Sequence, residues 1–136
     1  MVSIIMGLKG SGKTKNLIDL TNKAVETSPG NVVCVEKGNK LIHDIKREVR
    51  LVDTDEYDIC TANGLYGLIC GIMASNYDVK DVFVDSGLRI IGEDIDGFVK
   101  LIKRLDVLTG QHEVNLVCTV SIAPENLPEE LTGYIY

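Results

Sequence analysis

Near the start of the chain, Gly7-Leu8-Lys9-Gly10-Ser11-Gly12-Lys13-Thr14 sets glycines, a lysine and a hydroxyl in the order G-x-x-x-x-G-K-T. The chemistry that needs these types in this order is phosphate binding. Glycines let backbone N–H groups close around phosphate oxygens, and a helix beginning at the end of the loop adds aligned dipoles. The Lys13 ammonium then neutralises β- and γ-phosphates, the Thr14 hydroxyl is offered to Mg²⁺, and the Lys15 amide reaches an α-phosphate. Gly7, Gly10, Ser11, Gly12 and Lys15 form the candidate backbone cradle, with Lys13 and Thr14 as candidate side-chain ligands. The plain alternative is a glycine turn with a surface lysine. Average composition produces such a match in roughly 0.5% of chains this long, before a strand in front and a helix behind are required.

Those two flanking elements are legible. Short β-branched runs alternate with helical patterns along the whole length, as βαβ units with strands buried on both faces require. Core strands are predicted at Val2–Met6, Asn31–Glu36, Tyr57–Thr61, Asp81–Asp85 and Glu113–Val120, with Arg50–Val52 and Tyr134–Tyr136 as extra edge strands. Leu17, Leu20 and Ala24 share one helix face, and Leu41, Ile45 and Val49 the next. A third helix is predicted over Ala62–Ser75, where close packing against a strand would account for Gly64, Gly67 and Gly71. A fourth spans about Asp94–Leu108 and stops at Gly110, with Asp94 among the carboxylates at its start. Pro124 and Pro128 mark a short closing segment. The expected architecture is a three-layer α/β/α sandwich around a mostly parallel sheet of about five core strands. Ligands of such a sheet sit beyond the carboxyl ends of its strands.

The chain resembles the P-loop NTPase superfamily, with Gly7–Thr14 as a complete Walker A motif. Partition-type ATPases carry a second lysine directly after the first glycine, where this chain has Leu8; its extra lysine is Lys9, open to phosphate or to solvent. Val82-Phe83-Val84-Asp85 is similar to a Walker B strand, whose aspartate holds Mg²⁺ through water, and Ser86 extends it to the aspartate-serine pair of recombinase-type ATPases. That branch implies that the Asn115–Val120 strand lies between the Walker A and Walker B strands, bringing Thr119 or Ser121 toward the γ-phosphate as a sensor. It also implies a catalytic glutamate at the end of the second core strand, which here is Glu36. The catalytic set carried over is thus Lys13, Glu36 and Asp85, with Thr14 and Asp85 toward Mg²⁺ and ATP as the nucleotide. The chain also resembles small bacterial ATP-binding proteins labelled twitching-motility-type ATPases, although motors of that name need domains beyond this one.

The remaining titratable and aromatic residues point to no second chemistry. His43, expected on a helix, and His112, expected in a connection, lack a paired metal ligand, and Asp53–Asp58 reads as a solvated loop. Core or edge positions suit Tyr57, Tyr66, Tyr77, Tyr134 and Tyr136, so no base-recognition residue is assigned. The 136 residues suit one domain with a real core. Fourteen basic against twenty acidic side chains give a net charge of −6, which repels nucleic acids and anionic membranes and requires any phosphate to be held locally. Four cysteines without a C-x-x-C pair argue for a reducing cytoplasm. The Gly64–Ala74 stretch is too short to span a bilayer, and Val2–Met6 too short for a signal peptide.

Three functions compete. The first is a Mg²⁺-dependent ATPase of slow intrinsic turnover. The second is a small-molecule kinase, disfavoured because Arg47, Arg50, Arg89 and Arg104 are scattered rather than gathered into a phosphate-clamping lid. The third is a nucleotide-dependent binding module, motivated by Ser86 where many related ATPases carry a glutamate. GTP-specific recognition fits less well, since Asn22-Lys23 lies in the first helix without the aspartate of a guanine-reading motif. Slow turnover implies a homo-oligomer or protein partner, with Arg89 as the residue that would reach across the interface.

Overall fold

The computed structural model describes residues 1–136. Five strands form one all-parallel sheet: β1 (Val2–Gly7), β2 (Asn31–Glu36), β3 (Arg50–Asp53), β4 (Val79–Val84) and β5 (Asn115–Ser121). Their order across the sheet is β1-β5-β4-β2-β3, so β5 lies between β1 and β4 as expected. The register aligns the carboxyl ends, pairing Gly7 with Ser121, Val84 with both Cys118 and Val35, and Glu36 with Asp53.

Alternation along each strand divides the core between the two faces of the sheet. Val32, Cys34 and Phe83 pack with Leu17 and Ala24 of helix α1 (Lys13–Thr27) on one face. Val33, Val35, Val82 and Val84 belong to the larger core, formed with Leu65 and Ile69 of α2 (Ala62–Ser75) and Phe98, Ile102 and Leu105 of α4 (Ile95–His112). A single helical turn, α3 (Gly87–Ile90), bridges β4 and α4. Helices thus cover both faces. None is long and apolar enough to cross a membrane.

The predicted helix through Leu41, Ile45 and Val49 is absent, and residues 37–49 fold as consecutive turns. Asn22 claims backbone groups that a helix would pair internally, while Glu36 takes two amides that a first helical turn would leave free. The Lys40 and Leu41 amides donate to the Glu36 carboxylate, the Lys46 amide donates to Asn22 Oδ1, and Asn22 Nδ2 donates to the Asp44 carbonyl. The three apolar residues are nonetheless buried against the α1 face, so the pattern identified burial correctly and its geometry incorrectly. His43 accordingly sits in a turn.

The predicted strand Tyr57–Thr61 is also absent. Asp53 accepts from the Asp55 amide and opens a 3-10 helix at Thr54–Tyr57, which Asp58 closes at φ 54°. Arg50–Val52, expected only as an extra edge strand, lies instead in β3, which completes the five-stranded sheet at its edge. At the other edge, Tyr134–Tyr136 forms no full strand. One bridge joins Ile135 to Ile4, and the Tyr136 amide donates to the Ile4 carbonyl at 2.7 Å. Helix α4 runs through Gly110 to His112 and ends at Glu113, which takes φ 55° and donates its amide to the Thr109 carbonyl. In α2, Gly64 lies 3.1 Å from the capping Thr61 hydroxyl if given a Cβ, whereas Gly67 and Gly71 face open space; nothing in the structure explains the latter two.

Candidate functional site

β1 delivers the chain to Gly7, and the loop from there to α1 is built on backbone geometry that glycine permits. A Cβ on Gly7 would collide with the Ser11 hydroxyl, while Gly10 and Gly12 stand at φ 83° and 88°. Those angles lie in the left-handed region, which side-chain-bearing residues seldom occupy. Helix α1 begins at Lys13 with no side-chain cap and no acidic residue in its first turn. Its first amides therefore point outward without a protein side chain to receive them, which makes this terminus receptive to an anion. Lys13 Nζ donates to the Leu8 carbonyl at 2.9 Å, so the ammonium lies back over the loop.

Across the sheet, Asp85 follows β4 and is tied to β2 by its amide, which donates to the Val35 carbonyl at 2.9 Å. Its Oδ1 accepts from the Thr14 hydroxyl at 3.2 Å and the Thr119 hydroxyl at 2.9 Å. Lys13, Thr14, Glu36 and Asp85, distant in sequence, line one cavity of about 560 Å³ beyond the strand ends. Gly10 lines it as well, while Gly7, Ser11, Gly12 and Lys15 build the loop and first helical turn outside the lining. Ser121 reaches the cavity. Thr119 does not: it is fully buried and spends its hydroxyl on Asp85 and on the Ser86 amide.

Five cationic side chains border this cavity, Lys9, Lys13, Lys37, Lys40 and Arg89, against the carboxylates Glu36, Asp85 and Glu93. The chain is acidic overall, yet here cations outnumber anions. Motif reading missed Lys37 and Lys40, which enter because they follow the end of β2; their position just after a strand end in a parallel sheet was the available signal. Lys37 is held by Asp55 at 2.7 Å. Arg89, expected to serve a neighbouring protomer, lines the cavity of its own chain.

Glu36 is 4% exposed, and each carboxylate oxygen accepts one backbone amide, Oε1 from Lys40 and Oε2 from Leu41, both at 3.1 Å. Burial raises its carboxyl above the usual glutamate range, and the negative charges of Asp85 and Asp53 push the same way against the two amides. The folded protein therefore holds this proton more tightly than the unfolded chain does. Stability should fall as pH rises from about 4.5 through the raised value. Gln at this position imitates the protonated acid, with one acceptor and one donor toward the two amides. Glu36→Gln is therefore expected to keep at neutral pH the stability that the ionised carboxylate loses, and to flatten that part of the pH–stability curve. Urea unfolding across pH 4–8 checks this, and an unaltered slope would remove Glu36 as its source.

Two buried thiols lie beneath the site without adding a nucleophile. Burial pushes Cys118 up to about 12 and raises Cys34 further. Neither forms an appreciable thiolate near neutrality. A second cavity of about 570 Å³ opens between α2 and β2–β3, lined by Val33, Val52, Leu68 and Ile72 among others, and contains none of the candidate site residues. No three His, Cys, Asp or Glu side chains converge on one point.

No protein-family model matches the chain, and no curated protein is significantly similar to it.

Proposed function

We propose that this chain is a P-loop nucleotide-binding protein of the recombinase-like branch that binds ATP with Mg²⁺ and hydrolyses it slowly. The observation that carries the reading is the Thr14–Asp85 hydrogen bond, 3.2 Å across 71 positions of sequence, beside a glycine loop whose helix N-terminus has no side-chain cap. A hydroxyl and a carboxylate joined in this way, next to unclaimed amides and the Lys13 ammonium, are the donor set that a Mg²⁺-triphosphate requires. Thr14 would ligate the metal directly and Asp85 through water. The metal would supply charge neutralisation between the β- and γ-phosphates. Loop amides and Lys13 would bind and orient the phosphates, and Glu36 would accept the proton of the attacking water.

A nucleotide-dependent binding module is the second reading, favoured by the two backbone amides that already occupy the Glu36 oxygens. Turnover separates the two. If Glu36 is the base, Glu36→Gln retains ATP binding and loses most hydrolysis; a measurable parental rate that Gln leaves unchanged would assign the base elsewhere. Free buried thiols and nucleotide dependence suit a reducing cytoplasm.

The reading is tested by titrating the purified protein with ATP in a calorimeter, with Mg²⁺ and with chelator. Binding should tighten with Mg²⁺, and Asp85→Asn should remove about ten-fold of that enhancement while leaving metal-free binding nearly intact. Failure of ATP to bind in either buffer would overturn the assignment.

A further inference from the structure

Thr119 is fully buried in β5, in register beside the strand end that carries Asp85. Val117, two residues earlier on the same face of β5, is apolar and packs against the α1-side core, so an aliphatic residue would serve packing alone at this position. Instead a hydroxyl is present with both of its capacities used. Its proton goes to Asp85 Oδ1 at 2.9 Å, and its oxygen accepts the Ser86 amide at 2.7 Å. Ser86 stands at φ 56°, an angle unfavourable for a residue with a side chain. Such a conformation persists where neighbours over-determine it, and the Thr119 bond is one such constraint. With the Thr14 hydroxyl also on Oδ1, Asp85 Oδ2 retains one protein partner, the Ser86 hydroxyl at a long 3.5 Å.

Resting on the nucleotide reading above, we propose that Thr119 is the positioning residue for the metal-facing carboxylate. One hydroxyl clamps two consecutive residues: it fixes the Asp85 side chain through Oδ1, leaving Oδ2 available to a metal-bound water, and it locks the turn that follows through the Ser86 amide. Thr119 touches neither nucleotide nor metal in this role and acts through Asp85. Partners of a metal ligand commonly govern metal affinity by about ten- to a hundred-fold when removed.

The test compares Thr119→Val, which keeps shape and loses both hydrogen bonds, with Thr119→Ser, which keeps the hydroxyl. ATP affinity is measured by calorimetry with Mg²⁺ and with chelator. The Val variant should lose at least about ten-fold of the Mg²⁺-dependent enhancement, with metal-free affinity nearly unchanged, and Ser should restore it. A purely structural role would lower both affinities together or only the melting temperature. A folded Val variant with parental Mg²⁺ dependence overturns the inference while the nucleotide reading stands. Absence of Mg²⁺-dependent binding in the parent overturns both. Should Val fail to fold, hydrogen exchange at the Ser86 amide of the parent decides: strong protection supports the clamp, and exchange at the rate of an open turn refutes it.

Discussion

Lys13→Ala is expected to weaken ATP binding by about a hundred-fold, because one ammonium that meets two phosphates supplies charge-assisted hydrogen bonds worth about 1.5–3 kcal/mol. Of the other cations that line the cavity, Lys37 is committed to Asp55, Lys40 and Arg89 belong to the segments after β2 and β4, and Lys9 alone shares the loop with Lys13. Lys13 donates to the Leu8 carbonyl, so engaging phosphate would exchange one hydrogen bond to a neutral acceptor for bonds to anionic ones. The loop itself should survive the substitution. Its path is dictated by Gly10 and Gly12 in the left-handed region and by the Ser11 amide donating to the Leu8 carbonyl at 3.1 Å, none of which involves the lysine side chain. Calorimetry on the variant, with its melting temperature as the folding control, reads the effect directly. An affinity within about two-fold of the parent would mean that phosphate is not held at Lys13.

The loop was legible in the sequence because its determinants are local. Each glycine answers to a dihedral angle or a clearance set within the loop itself, and the strand before it and helix after it follow from neighbouring residues. The meeting of Asp85 and Glu36 with Lys13 was legible for a second reason: strand ends in a parallel sheet share one edge, so a residue that closes an apolar run is already placed in one dimension. One failure was structure decided by distant side chains. Leu41, Ile45 and Val49 carry a helical spacing, yet Asn22 takes the Lys46 amide and the Asp44 carbonyl that a helix would use, and a window of sequence does not reveal that competition. Tyr57–Thr61 failed for a local reason, because the Asp53 side chain starts a 3-10 turn that runs into Tyr57. The Thr119 clamp was half legible: the sequence pointed to a hydroxyl at the end of β5, but only the register of β5 against β4 shows which groups receive it.

Arg89→Ala is expected to lower turnover by about a thousand-fold while changing ATP affinity little, as loss of an arginine that stabilises the transferring phosphoryl group does in related chemistry. Sequence alone offered this residue to a neighbouring protomer; the turn after β4 puts it on the wall of the cavity of its own chain. Ser86 reverses the chain at φ 56°, and Gly87 follows where a Cβ would lie 2.5 Å from the Cys118 sulfur, so α3 lies tightly against β5. Leu88 and Ile90 are then buried, at 6% and 2% exposure, which leaves Arg89 between them on the open side, lining the cavity that holds Lys13 and Asp85. No carboxylate of the protein forms an ion pair with it. Turnover per protomer should therefore be independent of protein concentration, with Arg89→Lys recovering part of the rate, since an ammonium retains the charge but not the fork. Rates that climb with concentration and return when the Ala variant is mixed with a Lys13→Ala variant would instead put the arginine in a partner's site. A concentration-independent rate indifferent to Arg89→Ala would leave the phosphoryl group stabilised by Lys13 and the loop alone.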